Sequence, residues 1–372
     1  MTTFAELGIS DAYIKGLKEL NIVNPTKIQE EVIPKLLGTK TDLIGLAQTG
    51  TGKTAAFGLP MLYTIDATKP EVQGLIIAPT RELVQQIKKQ LFKFTKYIEE
   101  KIFVEGVYGG ERIERQMKAL RRPTHIVVAT PGRLLDLIER KAVNISAVKT
   151  LILDEADEML SMGFQEDLNK ILKYNTAERN TWLFSATMRS EIKQIVKTYM
   201  SPEVIRIEIN KFSKVNENIS HHFINTKIND KPLLITRLLR KRKKERGVIF
   251  CRSKAGTKKL AKQLQDAGFA IGALEGGMKQ KERDKVMRGF KKERLQFLVS
   301  TDVFARGIDV NDLTFVIHHQ MPDQLEYYTH RSGRTARGGK TGESIVLIIP
   351  GDMQKVMDAQ KMLGITFRQM TV

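Results

Sequence analysis

What most limits the fold open to this 372-residue chain is a repeated pattern: short apolar runs bounded by turn residues, each followed by a charged segment with helical spacing. Residues 42–46, 75–78, 126–129, 151–153 and 182–184 are runs of this kind, and they read as strands buried on both faces of a parallel sheet. Helical segments such as 82–97 and 111–120 fall between them, so the order is βαβα, which winds helices onto both faces of the sheet. The second half repeats the grammar with strands at 248–251, 297–300, 315–318 and 344–349 and helices at 257–267 and 280–291. Length alone favours two domains. The polar stretch 210–220 (NKFSKVNENIS) has neither period and reads as a linker, giving an N-terminal α/β domain over 1–209 and a C-terminal one over 221–372.

Composition removes several classes of function. Cys251 is the single cysteine, so no intrachain disulfide can form, and a reducing compartment such as the cytoplasm fits. The six histidines are scattered and suggest no metal cage. No signal-peptide pattern opens the chain and no apolar run reaches membrane-spanning length, so the expectation is a cytoplasmic protein, monomeric and without a membrane partner. The net charge of +19 favours a polyanionic partner. It is unevenly placed: residues 1–210 hold 29 basic and 26 acidic side chains (29 − 26 = +3), and residues 211–372 hold 32 and 16 (32 − 16 = +16). The cluster 240–246 (RKRKKER) lies between a leucine-rich helix and a strand and reads as a solvated loop.

Chemistry concentrates at the ends of the predicted strands. Residues 47–54 (AQTGTGKT) follow one strand and open a helix, the context of a phosphate loop, although Ala47 stands where the general pattern has glycine. Its glycines, Gly50 and Gly52, let backbone amides of Thr49 to Thr54 face phosphate oxygens, Lys53 can reach the β and γ phosphates, and the Thr54 hydroxyl can ligate Mg2+. Thr51 lies in the same turn. A hundred residues on, the strand LIL ends in Asp154, Glu155, Ala156 and Asp157, carboxylates at the edge where open α/β sheets bind ligands. Beside a phosphate loop, Asp154 would hold Mg2+ and Glu155 would orient and deprotonate the attacking water.

The sequence DEAD at residues 154–157, with further motifs in matching order, closely resembles the DEAD-box RNA helicases over nearly the whole chain. That resemblance implies two RecA-like domains, ATP and Mg2+ as ligands, and RNA as partner. Phe4 and residues 24–29 (NPTKIQ) resemble the adenine-sensing segment, with Gln29 reading the base; taken in isolation, both side chains would read as ordinary packing and cap residues. Lys27 and Ile22 depart from the common pattern there. PTREL at 79–83, the Gly109–Gly110 pair and TPGR at 130–133 imply RNA contacts from Thr80, Arg81, Gly110, Thr130 and Arg133. SAT, with Ser185 and Thr187, is the family's link between hydrolysis and strand separation. In the second half, GVIFCRSK, QKER, STDVFARGIDV and HRSGRTAR match later motifs. They imply RNA contacts from Arg252, Arg283 and Thr301, ribose contact from Asp309, and two guanidinium groups for the γ-phosphate, Arg334 and Arg337, three apart as on one helical face. Where many relatives carry a histidine and an aspartate, Glu275 and Gly277 stand, and no RNA role is assigned to them. The implied activity is ATP-driven, local and non-processive RNA unwinding or RNP remodelling, with ATP and RNA each bridging the two domains. A nonenzymatic RNA clamp and a duplex-DNA translocase are the alternatives.

Overall fold

The computed structural model describes residues 2–48, 50–174, 178–209, 216–301, 313–336 and 340–371. The chain divides into two compact units, Met1–Ile209 and Asn210–Val372. Among the described residues each unit is built on a seven-stranded sheet in which every pairing is parallel.

In the first unit the strands are β1 (Leu43–Leu46), β2 (Gly74–Ile77), β3 (Val104–Val107), β4 (Ile126–Ala129), β5 (Thr150–Leu153), β6 (Asn180–Ser185) and β7 (Ile205–Glu208), in the order β3-β4-β2-β5-β6-β1-β7. Successive side chains on a strand point to opposite faces, and here both faces are covered. Leu43, Ile76, Val128, Ile152, Trp182 and Phe184 enter one buried cluster, while Ile44, Ile77, Val127, Leu153 and Leu183 enter the other. This two-sided burial is why the strands read as continuous apolar runs. The strand order reverses beside β1, so the loops after β1, β5 and β6 open side by side at the carboxyl edge.

The second unit repeats the plan with β8 (Ile219–Asn225), β9 (Gly247–Phe250), β10 (Ile271–Leu274), β11 (Phe297–Ser300), β12 (Phe315–His318), β13 (Gly342–Ile348) and β14 (Phe367–Gln369), in the order β10-β11-β9-β12-β13-β8-β14. β8 begins at Ile219, inside the stretch 210–220 read as a linker. Residues 210–215 of that stretch lie outside the described residues. The segment 240–246 spans the end of the helix Lys231–Lys241 and the turn before β9. Two of its arginines are built into the unit: Arg242 pairs with Glu245 at 2.8 Å and with Glu343, and Arg246 lies over the Phe290 ring.

Candidate functional site

The phosphate loop takes its shape from two left-handed glycines, Gly50 at φ 84° and Gly52 at φ 95°. A side chain at Gly52 would be strained by that backbone and would also strike the Gln29 amide. Gly52 caps the helix Lys53–Tyr63, so its first amides open toward the loop. Lys53 is buried and donates from Nζ to the Ala47 carbonyl at 3.0 Å, and the Thr51 hydroxyl donates to the Gln48 carbonyl at 2.8 Å. Thr54 is partly exposed on the first turn of the helix.

A second segment braces this loop from outside. Gln29 is 1% exposed; its Oε1 accepts from the Thr26 amide at 2.9 Å and its Nε2 donates to the Gly52 carbonyl at 2.9 Å. The Thr26 hydroxyl donates to the Thr51 carbonyl at 2.8 Å, a contact sequence reasoning did not foresee, although a threonine immediately before a helix was a visible cap signal. Phe4, 2% exposed, is packed in the core with Leu17 and Ile28. Both side chains thus occupy the packing and cap positions that they suggest when read in isolation.

The acidic loop follows β5. Asp154 is 2% exposed, and burial pushes its carboxyl up to about 7, with the Lys53 ammonium opposing that rise and the Glu155 and Asp157 carboxylates reinforcing it. Its Oδ1 accepts from the Glu155 amide at 3.0 Å. Glu155 itself is held left-handed at φ 52°, a conformation costly for a residue with a Cβ, and it caps the helix Ala156–Ser161. Asp157 points at the loop after β6: its Oδ2 accepts from the Ala186 amide at 3.2 Å, the Thr187 amide at 2.9 Å and the Thr187 hydroxyl at 3.0 Å. Ser185 completes the joint, accepting from the Asp157 amide at 3.3 Å and donating to the Thr187 carbonyl at 2.7 Å. Phosphate loop, acidic loop and SAT segment therefore meet on three adjacent strands.

Three further loops leave the same sheet edge. Thr80 caps the helix Arg81–Phe94 and accepts from the Leu83 amide at 3.3 Å. The Arg81 guanidinium lies 4.8 Å from the centre of the Tyr108 ring, and Gly110 turns left-handed at φ 81°. Thr130 caps the helix Pro131–Glu139. Arg133 faces inward: its guanidinium donates twice to the Glu111 carbonyl at 3.1 Å and to Gln116 Oε1 at 2.9 Å, while Gln116 donates to the Tyr108 carbonyl at 3.0 Å. The arginine of TPGR thus ties down the loop that carries the paired glycines.

In the second unit Arg252 follows β9 and pairs with Asp323 at 2.8 Å on the surface. Arg283 lies on the helix Gln280–Lys291, and Thr301, first after β11, donates its amide to the Leu274 carbonyl at 3.1 Å. The buried Glu275 carboxylate accepts from the Gly277 amide at 2.6 Å and pairs with Lys258 at 3.1 Å, so the loop after β10 is closed by its own acid. Arg334 is 5% exposed and donates from Nε to the His330 carbonyl at 3.3 Å. The expected helical spacing around it is not found: the helix Leu325–Ser332 stops before Arg334, and Ala336 is left-handed at φ 56°. Gly342 packs against this turn, where an added Cβ would lie 2.9 Å from the Ala336 amide. Thr49, Asp309 and Arg337 lie outside the described residues.

Comparison with known proteins agrees with this arrangement. Residues 26–195 match the DEAD/DEAH box helicase model and residues 230–339 match the helicase conserved C-terminal domain. The chain is 41% identical over 360 residues to the ATP-dependent RNA helicase CshA of Limosilactobacillus reuteri, covering 96% of this chain and 71% of that protein. It is 43% identical over 354 residues to CshA of Listeria monocytogenes, covering 95% and 67%. Among solved structures, S. cerevisiae Dbp5 bound to RNA and ADP BeF3 aligns with a TM-score of 0.91 at 28% identity, covering 100% of this chain and 96% of that one. Mss116p bound to single-stranded RNA and AMP-PNP aligns at 0.89 with 27% identity, covering 100% and 80%. The chain belongs to the DEAD-box helicase family.

Proposed function

We propose that this protein is an ATP-dependent RNA helicase that couples ATP hydrolysis to local, non-processive opening of RNA duplexes or remodelling of RNPs. The observation that carries the reading is the joint on Asp157, which ties the acidic loop to the SAT segment one strand away from the buried Lys53. A hydrolytic centre wired to a neighbouring loop in this way can report the state of the nucleotide to the rest of the unit.

In this reading Lys53 exchanges the Ala47 carbonyl for phosphate oxygens, and Gly50, Thr51 and Gly52 present the loop's amides, with Thr49 as a further member. Glu155, held left-handed at the start of the helix it caps, takes the proton of the attacking water. Arg334 and Arg337 stabilise charge on the transferred phosphoryl group, and Asp309 holds the ribose. Gln29 senses the adenine while holding the phosphate loop, so base recognition and loop shape share one side chain.

The donor set also fits Mg2+. Among the described residues no group of three or more His, Cys, Asp or Glu could hold a metal ion by itself. Mg2+ keeps much of its water and is held by one or two carboxylates together with substrate phosphates. Asp154 and the Thr54 hydroxyl supply hard oxygens of that kind, and a carboxyl pushed up by burial is one that a divalent cation would return to its ionised form. When bound, the ion neutralises charge on the phosphates.

RNA is bound through Thr80, Arg81, Gly110 and Thr130 in the first unit and Arg252, Arg283 and Thr301 in the second, with Arg133 acting from behind as the residue that positions the glycine loop. No helix among the described residues is long and apolar enough to cross a membrane. The deciding experiment is steady-state ATPase activity with no nucleic acid, with single-stranded RNA and with DNA of matching sequence, alongside ATP-dependent separation of a short RNA duplex. Stimulation by RNA and not by DNA is expected. ATP turnover that ignores RNA, or equal stimulation by DNA, would reject the reading.

A further inference from the structure

The three loops read as RNA contacts in the first unit leave β2, β3 and β4, and the strand order makes β3 the outermost. RNA laid along these loops therefore runs off the sheet at the end of β3. There an open groove of about 440 Å3 follows the outer edge of β3, walled by the helix Arg81–Phe94 on one face of the sheet and the helix Ile113–Leu120 on the other. Its near end is formed by Tyr108 and Glu111, which flank the Gly109–Gly110 turn. The Tyr108 ring is fixed there by Arg81. Phe92, 68% exposed, also lines the groove, an aromatic side chain outside the core. Lys89 and Arg115, both exposed, rise from the two walls.

Aromatic faces set between cations are the means by which proteins hold single strands: bases stack, phosphates are neutralised, and sequence matters little. Of the two acids in the groove, Glu105 is paired with Lys88 at 2.6 Å, and Glu111, at the near end, accepts from Gln116 at 3.3 Å. The Glu105–Lys88 pair argues against a peptide adding to the β3 edge. The Phe103 and Val107 carbonyls accept from the β4 side, so alternation turns the Gly106 amide outward, and that amide is taken by the Glu105 carboxylate at 3.0 Å. An added strand would have to displace both Glu105 and Lys88.

We propose that this groove is an additional binding segment for single-stranded RNA, holding nucleotides beyond those on the three loops, with bases against Tyr108 and Phe92 and phosphates beside Lys89 and Arg115. The proposal rests on the RNA-helicase reading and extends it to a surface outside the motifs.

The test is a nested series of single-stranded RNAs extended at one end or the other, with the affinity of the whole chain measured at one fixed salt concentration. Beyond the shortest RNA that saturates ATPase stimulation, extension at one end should tighten binding by the parent on the order of tenfold, the worth of one stacked base. Phe92→Ala should lose most of that gain, and the double variant Lys89→Glu with Arg115→Glu should lose it with a flatter salt dependence. Both variants should keep the parent's affinity for the shortest RNA, its RNA-free ATPase rate and its melting temperature, since all three side chains are exposed. A parent that gains nothing from extension at either end overturns the proposal. So does a gain that survives in both variants. A parent that neither binds nor responds to the shortest RNA would instead overturn the helicase reading, so the two failures are distinct.

Discussion

Gln29 holds the phosphate loop by its backbone, accepting from Thr26 with one end of its amide and donating to Gly52 with the other. Removing the side chain therefore costs more than a base contact. Gln29→Ala should raise the ATP concentration needed for half-maximal turnover and blunt discrimination against GTP. Gln29→Glu should be worse, because it keeps the acceptor for Thr26 and sets a carboxylate against the Gly52 carbonyl. Michaelis constants for ATP and GTP in the three proteins test this, and an unchanged preference between the nucleotides would remove the assigned role. The letters of this segment were legible in the sequence, because NPTKIQ before a phosphate loop is a matchable pattern. The inward commitments were not. Nothing in TPGR says that Arg133 turns toward Glu111 and Gln116, since that contact depends on how two loops meet in space.

Between elements, the joint of β5 and β6 loops lends itself to dissection. Thr187→Ala keeps the backbone donor to Asp157 and deletes the hydroxyl donor, so one of the contacts on Oδ2 is lost and the others remain. A hydrogen bond to a charged acceptor is worth about 1.5–3 kcal/mol. We expect RNA-stimulated ATP turnover to persist within a few-fold while duplex separation per ATP falls; a parallel fall in both would mean that the joint only supports the fold. A second element-scale prediction concerns the β8, β12 and β13 sheet of the second unit. His221, on β8, bonds the Tyr328 hydroxyl, and His318, on β12, stacks on the Tyr328 ring at 4.8 Å and bonds Ser344 at 3.0 Å. Burial, with His222 beside it, lowers His221 from 6.5 to about 4, and burial, with Arg331 and His221 nearby, lowers His318 well below its ordinary value. The unfolded chain then binds protons that the folded chain does not, so stability is present above pH 6.5 and is lost as pH falls from there toward about 4, at about 1.4 kcal/mol per pH unit per histidine. Unfolding midpoints from pH 7.5 down to 4.5 should trace that slope, and His221→Phe, which keeps a ring against Tyr328 and Phe367, should make it shallower; an unaltered slope would count against this origin. Strands with both faces covered were readable as apolar runs, and β4, β11 and β12 match the expected limits. β3 (VEGV), β8 (ISHHFIN) and β14 (FRQ) carried no such run, because β3 and β14 are edge strands and β8 mixes buried positions with partly and fully exposed ones, including two histidines.

At the scale of the whole molecule, the residues proposed for ATP are divided between the two units, as are those proposed for RNA, and the basic excess lies in the second half. In the proposed mechanism ATP and RNA favour the same arrangement of the two units, so each should tighten the other by the same factor. Glu155 allows binding to be separated from chemistry. Glu155→Gln keeps the shape and the hydrogen-bonding reach of the side chain but cannot take the proton of water, so ATP should bind normally while hydrolysis falls steeply. The left-handed backbone at this position is as costly for glutamine as for glutamate, so the fold should be unaffected. With hydrolysis blocked, the doubly liganded state has no exit through products, and the variant should hold single-stranded RNA longer in ATP than the parent does. Dissociation of labelled RNA is measured for both proteins with ATP, with ADP and without nucleotide, at one salt concentration because phosphate contacts are salt-sensitive. Slow release in ATP alone, and only in the variant, is the expected result. Equal release rates in all three conditions would show that ATP and RNA bind this chain independently, and hydrolysis at the parent's rate would take the role of general base away from Glu155.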